Sequence, residues 1–245
     1  MSWRPRGKKS LPKSVITGNV KPMTNTLHSN VPHETYVVVD VETSHTDPAE
    51  GFIFTIGACV VQYDGEIVTI DNNYYYQRIN QRAKINDSDW FKTIYEPRST
   101  LSWWLKQDFE VQHAAWRTED QMGCPEFVAA DAFYRWVSDA ADPERPIFVA
   151  NPATFDYSWI TALFAAHYMP NPFDYRTLDL RSMAFGAKGN DWRYLNQQRE
   201  HRSQVPHHAF WDAYAAALDL QDLISRRDEA AIEDKLLAKA GEFIA

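Results

Sequence analysis

The sequence is short of cysteine and glycine, and no long apolar run interrupts it. Cys59 and Cys124 are the two thiols of 245 residues. They are too few for a disulfide framework and lack a zinc-binding spacing. Cys59 falls within the apolar run Ile56–Val61 and reads as a small core residue, so a reducing, cytoplasmic compartment is the expectation. No stretch approaches the ~20 apolar residues of a membrane span, and the N-terminus lacks the apolar segment of a signal peptide. No membrane partner is therefore expected. Acid is missing from the start of the chain: six basic residues (Arg4, Arg6, Lys8, Lys9, Lys13, Lys21) precede the first acid, Glu34. The remainder holds 19 basic against 33 acidic residues, a charge of −14 within a total of −8. Such a body is not that of a protein that coats nucleic acid non-specifically. It can still act on a polyanion if divalent cations sit among its carboxylates.

What is present is a core. At 44% hydrophobic and 14% aromatic, the chain can build one sizeable domain with appendages. Residues 1–33, rich in Pro, Lys, Ser, Thr and Asn, read as a basic tail that can hold a phosphate backbone or dock on an acidic surface. That surface would belong to this body or to a neighbouring subunit of a homo-oligomer; the plain alternative is a solvated leader. From Tyr36, the run Val37-Val38-Val39-Asp40-Val41 has the two-sided apolar character of a central strand. Phe52–Tyr63 reads as a second strand, and Asp64-Gly65 as the hairpin turn into a third, which runs from Ile67 towards Tyr74-Tyr75-Tyr76. Tyr74 to Tyr76 should alternate between core and surface.

Helical periodicity begins near Ser99-Thr100 and places Leu101, Trp104 and Leu105 on one face. Further helices are expected over Pro125–Ala140, Phe155–His167 and Ala209–Arg226, with a separate amphipathic helix over Asp228–Ile244. Pro146–Ala150 reads as a short strand. The domain is thus expected over 34–226, between the tail of 1–33 and a C-terminal helix in 227–245. Strands leading, then helices interleaved with strands, predict an α/β fold with a mixed sheet covered by helices.

Four carboxylates lie where a bare fold would not want them. Asp40 interrupts the buried strand, and Glu42, two residues on, points to the same face. Paired carboxylates in such a place call for cations. Asp-x-Glu also occurs at Asp64/Glu66 and Asp142/Glu144, but in a turn and a Pro-flanked loop where solvation explains it. Asp156 shares a helical face with Trp159, Ile160 and Leu163, although an Asp near a helix start is also favoured by the dipole alone. Asp212 belongs to the apolar stripe Ala209, Ala213, Ala216 and Leu220, whose small residues let that helix approach the sheet closely. His207 or His208, on the loop leading into this helix, could swing over the same place. Oxygen donors suit Mg²⁺ or Mn²⁺ rather than zinc. With one mobile histidine as general base, they fit two-metal phosphodiester hydrolysis.

On these residues the chain resembles the DEDDh branch of the ribonuclease-H-like exonucleases. The strand motif Asp-x-Glu-Thr is matched by Asp40-Val41-Glu42-Thr43. The motif Asn-x-x-Phe-Asp is resembled, one residue longer, by Asn151 to Phe155-Asp156. His-x-Ala-x-x-Asp is matched once, by His207 to Asp212, a register that selects His207 over His208. The stretch Ser99–Gln107 and the form Pro-Ala-Thr-Phe-Asp are similar to the phage-type exonuclease A and exoribonuclease-like branch. The resemblance implies a ribonuclease-H-like sheet flanked by helices, and two Mg²⁺ or Mn²⁺ ions. Asp40, Glu42 and Asp212 would hold one ion, Asp40 would reach the second, and Asp156 would act through water. Glu42, the Thr43 backbone and Asn151 would contact the terminal nucleotide. Trp103, on a face away from Trp104, invites stacking on a base. The expected reaction is 3′→5′ hydrolysis of single-stranded DNA or RNA to nucleoside 5′-monophosphates, DNA slightly favoured. The rivals are an RNA-specific enzyme, a ribonuclease-H-like endonuclease and a silent binding module on the same fold.

Overall fold

The computed structural model describes residues 34–64, 68–80, 100–115, 123–140, 145–188 and 205–242, with side chains up to Arg227. The basic tail, the tip of the expected hairpin at Gly65 and the helix-cap residue Ser99 lie outside the described residues.

Among the described residues, five strands form one sheet. They are β1 (Glu34–Thr43), β2 (Ile53–Tyr63), β3 (Val68–Arg78), β4 (Ile147–Ala150) and β5 (Thr177–Asp179), in spatial order β3-β2-β1-β4-β5. β2 lies antiparallel to both β1 and β3, while β4 and β5 continue the sheet parallel to β1. This is the mixed sheet that the sequence predicts. β1 sits at its centre, which is why its side chains are apolar on both faces: Val37, Val39 and Val41 enter one core cluster, and Tyr36 and Val38 the other.

Helices cover both faces. α1 (Thr100–Trp104) and α2 (Phe109–Ala115) are short, whereas α3 (Glu126–Ala140) and α4 (Ala153–Ala166) fill the Val37 side. α5 (Leu180–Lys188) and α6 (Ala209–Glu242) cover the Val38 side. Along α6 the small residues Ala213, Ala216 and Ala217 and the larger Leu220, Leu223 and Ile224 face the sheet.

Three expectations need correction. The C-terminal stretch is not a separate helix: α6 runs unbroken to Glu242, since no glycine or proline occurs between Ala209 and Ala240 to stop it. Leu105 is exposed, at 49%. The small cluster beneath α1 (Phe52, Phe54, Leu101, Trp104 and Ala115) is already filled by Trp104. Tyr74 and Tyr76 alternate with the buried Tyr75 but are half-buried and not fully at the surface. Tyr75 enters the α3 side against Phe133, and on the other face Tyr74 packs on Phe210 while Tyr76 stacks on His208. β5, α2 and α5 were not anticipated.

Candidate active site

The first pair of carboxylates is set by strand alternation. Asp40 and Glu42 project from the end of β1 on the face that α6 covers. Asp40 is half-buried and Glu42 only 6% exposed. In register with Asp40, across to β2, is Gly57, and beyond it Tyr76 on β3.

Gly57 sets the closeness of the helix. A Cβ built there would lie 2.2 Å from the carbonyl carbon of Ala209 and 2.3 Å from the nitrogen of Phe210. The first turn of α6 therefore rests directly on the strand, which only glycine permits. Asp212, 2% exposed, follows three residues later and donates its backbone N–H to the His208 carbonyl at 3.0 Å.

His207 precedes this turn with φ at 57°, in the left-handed region. That conformation costs a non-glycine residue roughly 1–3 kcal/mol and persists only where its surroundings enforce it. Here it sends the imidazole towards the carboxylates. Donor atoms of Glu42, His207 and Asp212 lie within 4.8 Å of one another, a group that could hold a metal ion. The ring stands edge-on to Trp103 and Trp104, at 4.9 and 5.6 Å between centroids. Trp104 is core, 2% exposed, and its indole N–H donates to the Thr43 carbonyl at 2.9 Å. Trp103, beside it, is 41% exposed and presents a ring to solvent next to His207.

His208 has a different setting. Its ring is buried against Tyr76, 4.5 Å away and nearly parallel. Burial, helped by the nearby Arg78 charge, lowers its pKa from 6.5 to about 4. A neutral ring in a stack is a packing element, so the geometry favours His207 at the carboxylates. Burial likewise raises the Tyr76 phenol, and the Glu42 charge adds to that against the opposing influence of Arg78. The core reading of Cys59 fits as well: burial pushes its thiol up to about 12.

Asp156 approaches from the opposite layer. β4 ends at Ala150 while β1 continues to Thr43, so the far end of β1 has no strand on that side. The Asp156 carboxylate, near the start of α4 and 3% exposed, takes the vacated place and accepts the Val41 N–H at 3.0 Å. It thereby sits at the residue between Asp40 and Glu42. Neither Asp40 nor Asp156 belongs to the close group of three. Asn151 is 8% exposed at the end of β4, and its Oδ1 accepts from Arg181 Nε at 2.9 Å. Thr43 is buried and donates its hydroxyl to the His45 carbonyl.

Sequence reasoning missed Gly57, Arg181 and Asp179. A lone glycine inside an apolar strand signals close backbone approach and could have revealed the first. Asp179 accepts from Ala153 N at 2.8 Å with one oxygen and from Ser182 N and Oγ, both at 2.8 Å, with the other. One carboxylate thus caps the starts of α4 and α5 together.

Residues 35–223 match the 3′-5′ exoribonuclease Rv2179c-like domain. The chain belongs to this family. The family is one of 3′→5′ exonucleases, hydrolases of phosphodiester bonds, and the DEDDh motifs lie within the matched span. A curated relative, the 3′-5′ DNA exonuclease Cap18 of Escherichia coli, is 28% identical over 169 residues, covering 65% of this chain and 73% of the relative. Among solved structures, E. coli exonuclease I with a dT13 oligonucleotide is similar at a TM-score of 0.49 and 16% identity, over 83% of this chain. A zinc-bound complex of the same enzyme with single-stranded DNA gives a TM-score of 0.49 and 15% identity, over 84% of this chain. The chain spans 43% and 45% of the exonuclease I chains in those two structures. Among the described residues, no helix is long and apolar enough to cross a membrane.

Proposed function

We propose that this family member removes nucleoside 5′-monophosphates from the 3′ end of single-stranded nucleic acid, with DNA favoured over RNA. The observation that carries the reading is the close group of Glu42, His207 and Asp212 beside Asp40 and Asp156. Glu42, Asp156 and Asp212 are each less than a tenth exposed, so water cannot screen their charge, and divalent cations suit such a set of oxygen donors. Asp40, Glu42, Asp156 and Asp212 would hold two Mg²⁺ or Mn²⁺ ions. Bound there, the ions would polarise the scissile phosphate and offset charge on the leaving 3′-oxygen.

The protein's own groups supply the rest. The His207 imidazole, half-buried and reachable from solvent, accepts the proton of the attacking water. Glu42 and the Thr43 backbone take the terminal 3′-hydroxyl, which restricts cleavage to a strand end. Trp103 offers its exposed face to the terminal base, and Asn151 contacts the same nucleotide. The name of the Cap18 relative supports DNA as the polymer. The family description favours a second reading, RNA.

Matched 3′-labelled DNA and RNA oligonucleotides, digested with Mg²⁺ or Mn²⁺ and again in excess chelator, test the proposal. Mononucleotides should appear from the 3′ end, faster from DNA, and chelation should abolish them. Asp40→Ala should lose at least ~10³-fold in rate while staying folded. Undiminished digestion in chelator, or cleavage of circular single strands, would exclude the mechanism.

A further inference from the structure

An acidic body that acts on a polyanion needs a cation at its site, and two arginines lie at the end of the sheet that carries the carboxylates. Arg78, at the end of β3, is committed: Nε donates to the Tyr76 hydroxyl at 2.9 Å, and Nη2 to the carbonyls of His113 and Ala114 at 3.1 and 3.4 Å. Arg181 is on the other side, in the first turn of α5, half-buried. Its one hydrogen bond among the described residues runs from Nε to Asn151 Oδ1. Both terminal nitrogens are left for another acceptor, and they form the fork that matches a phosphate.

The sheet places this fork at the end that carries the carboxylates. β1 and β4 pair with Val38 opposite Val149. Beyond that pair β4 ends at Ala150, and Asn151 opens the turn into α4 at the end of the sheet where Asp40 also lies. Asn151 thus holds Arg181 at that end of the sheet, and its Nδ2 is buried without a hydrogen-bond partner. A guanidinium in the first turn of a helix also sits at the positive end of the dipole, an unfavourable place that an arriving anion would relieve.

We propose that Arg181, oriented by Asn151, binds a backbone phosphate of the substrate strand next to the terminal nucleotide. This rests on the 3′→5′ exonuclease reading. The contact is to phosphate and not to base, so it serves DNA and RNA alike and carries no sequence preference.

The test is steady-state digestion of a labelled single-stranded oligonucleotide over a range of salt, with thermal melting of each variant. Arg181→Gln should raise KM about tenfold with kcat within about twofold. Its log kcat/KM should fall with log salt less steeply, by about 0.7. Arg181→Lys, which keeps the charge, should keep the salt slope and recover part of the KM. A structural role would lower kcat and Tm while leaving KM and the salt slope as in wild type. That result, or Arg181→Gln matching wild type throughout, overturns the proposal. Wild-type protein that digests no strand overturns the exonuclease reading itself, which separates the two failures.

Discussion

Gly57→Ala isolates how closely the site depends on one missing side chain. The added methyl group would sit 2.2 Å from the Ala209 carbonyl carbon, 2.3 Å from its oxygen and 2.3 Å from the Phe210 nitrogen, where ordinary contact begins at 3.4 Å. All three are backbone atoms, so no rotamer change relieves the overlap, and the start of α6 must retreat by about 1.2 Å. His207 lies two residues before that contact and Asp212 three after it, so both move away from Glu42. Overpacking of this kind costs roughly 1–3 kcal/mol, a fall in Tm of a few degrees for a domain of this size. Misplacement of reacting groups by ~1 Å costs on the order of 10²-fold in rate. The variant should therefore be folded but at least ~10²-fold slower on a 3′-labelled oligonucleotide, assayed well below its melting temperature. Val60→Ala is the control: Val60 is buried in the same strand but faces the α3 and α4 side, so it should lose similar stability and keep its turnover. Gly57→Ala within about threefold of wild type, or Val60→Ala equally slow, would refute the reasoning.

The two histidines should separate cleanly. His207→Ala should lower turnover by ~10²–10⁴-fold, the usual worth of a general base, with Mn²⁺ affinity by calorimetry changed only a few-fold; a large loss in the His208 variant instead would reverse the assignment. His208→Phe keeps a ring against Tyr76 and should stay within a few-fold in turnover. Because the folded pKa of His208 is depressed from 6.5 to about 4, its neutral form contributes stability that is complete above pH 6.5 and lost as pH falls towards 4. That contribution is about 3 kcal/mol. Urea unfolding in chelator at pH 7.5 and 4.5 should show a smaller drop for His208→Phe than for wild type, and parallel curves would contradict the burial argument.

Much of this was legible because strand parity and helix parity are local. Val37 to Val41 marked a two-sided strand, and from that Asp40 and Glu42 followed onto one face without knowledge of any partner. The alanines after Asp212 likewise announced a close helix. The position of Asp156 was not readable, because its bond to Val41 exists only where β4 stops and β1 runs on. β5 spans three residues, too few for any period to appear. A single α6 was not legible because Arg226, Arg227 and Asp228 interrupt the apolar stripe in the sequence, whereas no glycine or proline breaks the backbone there. Resemblance selected His207 over His208, and in the structure a left-handed turn holds the His207 ring within reach of Glu42 and Asp212.

The double cap at Asp179 also separates surface variation from site geometry. The helix carrying Asp156 and the helix carrying Arg181 begin on the two oxygens of one carboxylate. Substitution at the exposed residues of the connection between α4 and β5, Tyr168 and Tyr175, then leaves the distance between those two starts unaltered. Variation at those positions is mechanically silent at the site, whereas Asp179→Asn, which trades an acceptor for a donor, would set one of the two helices adrift.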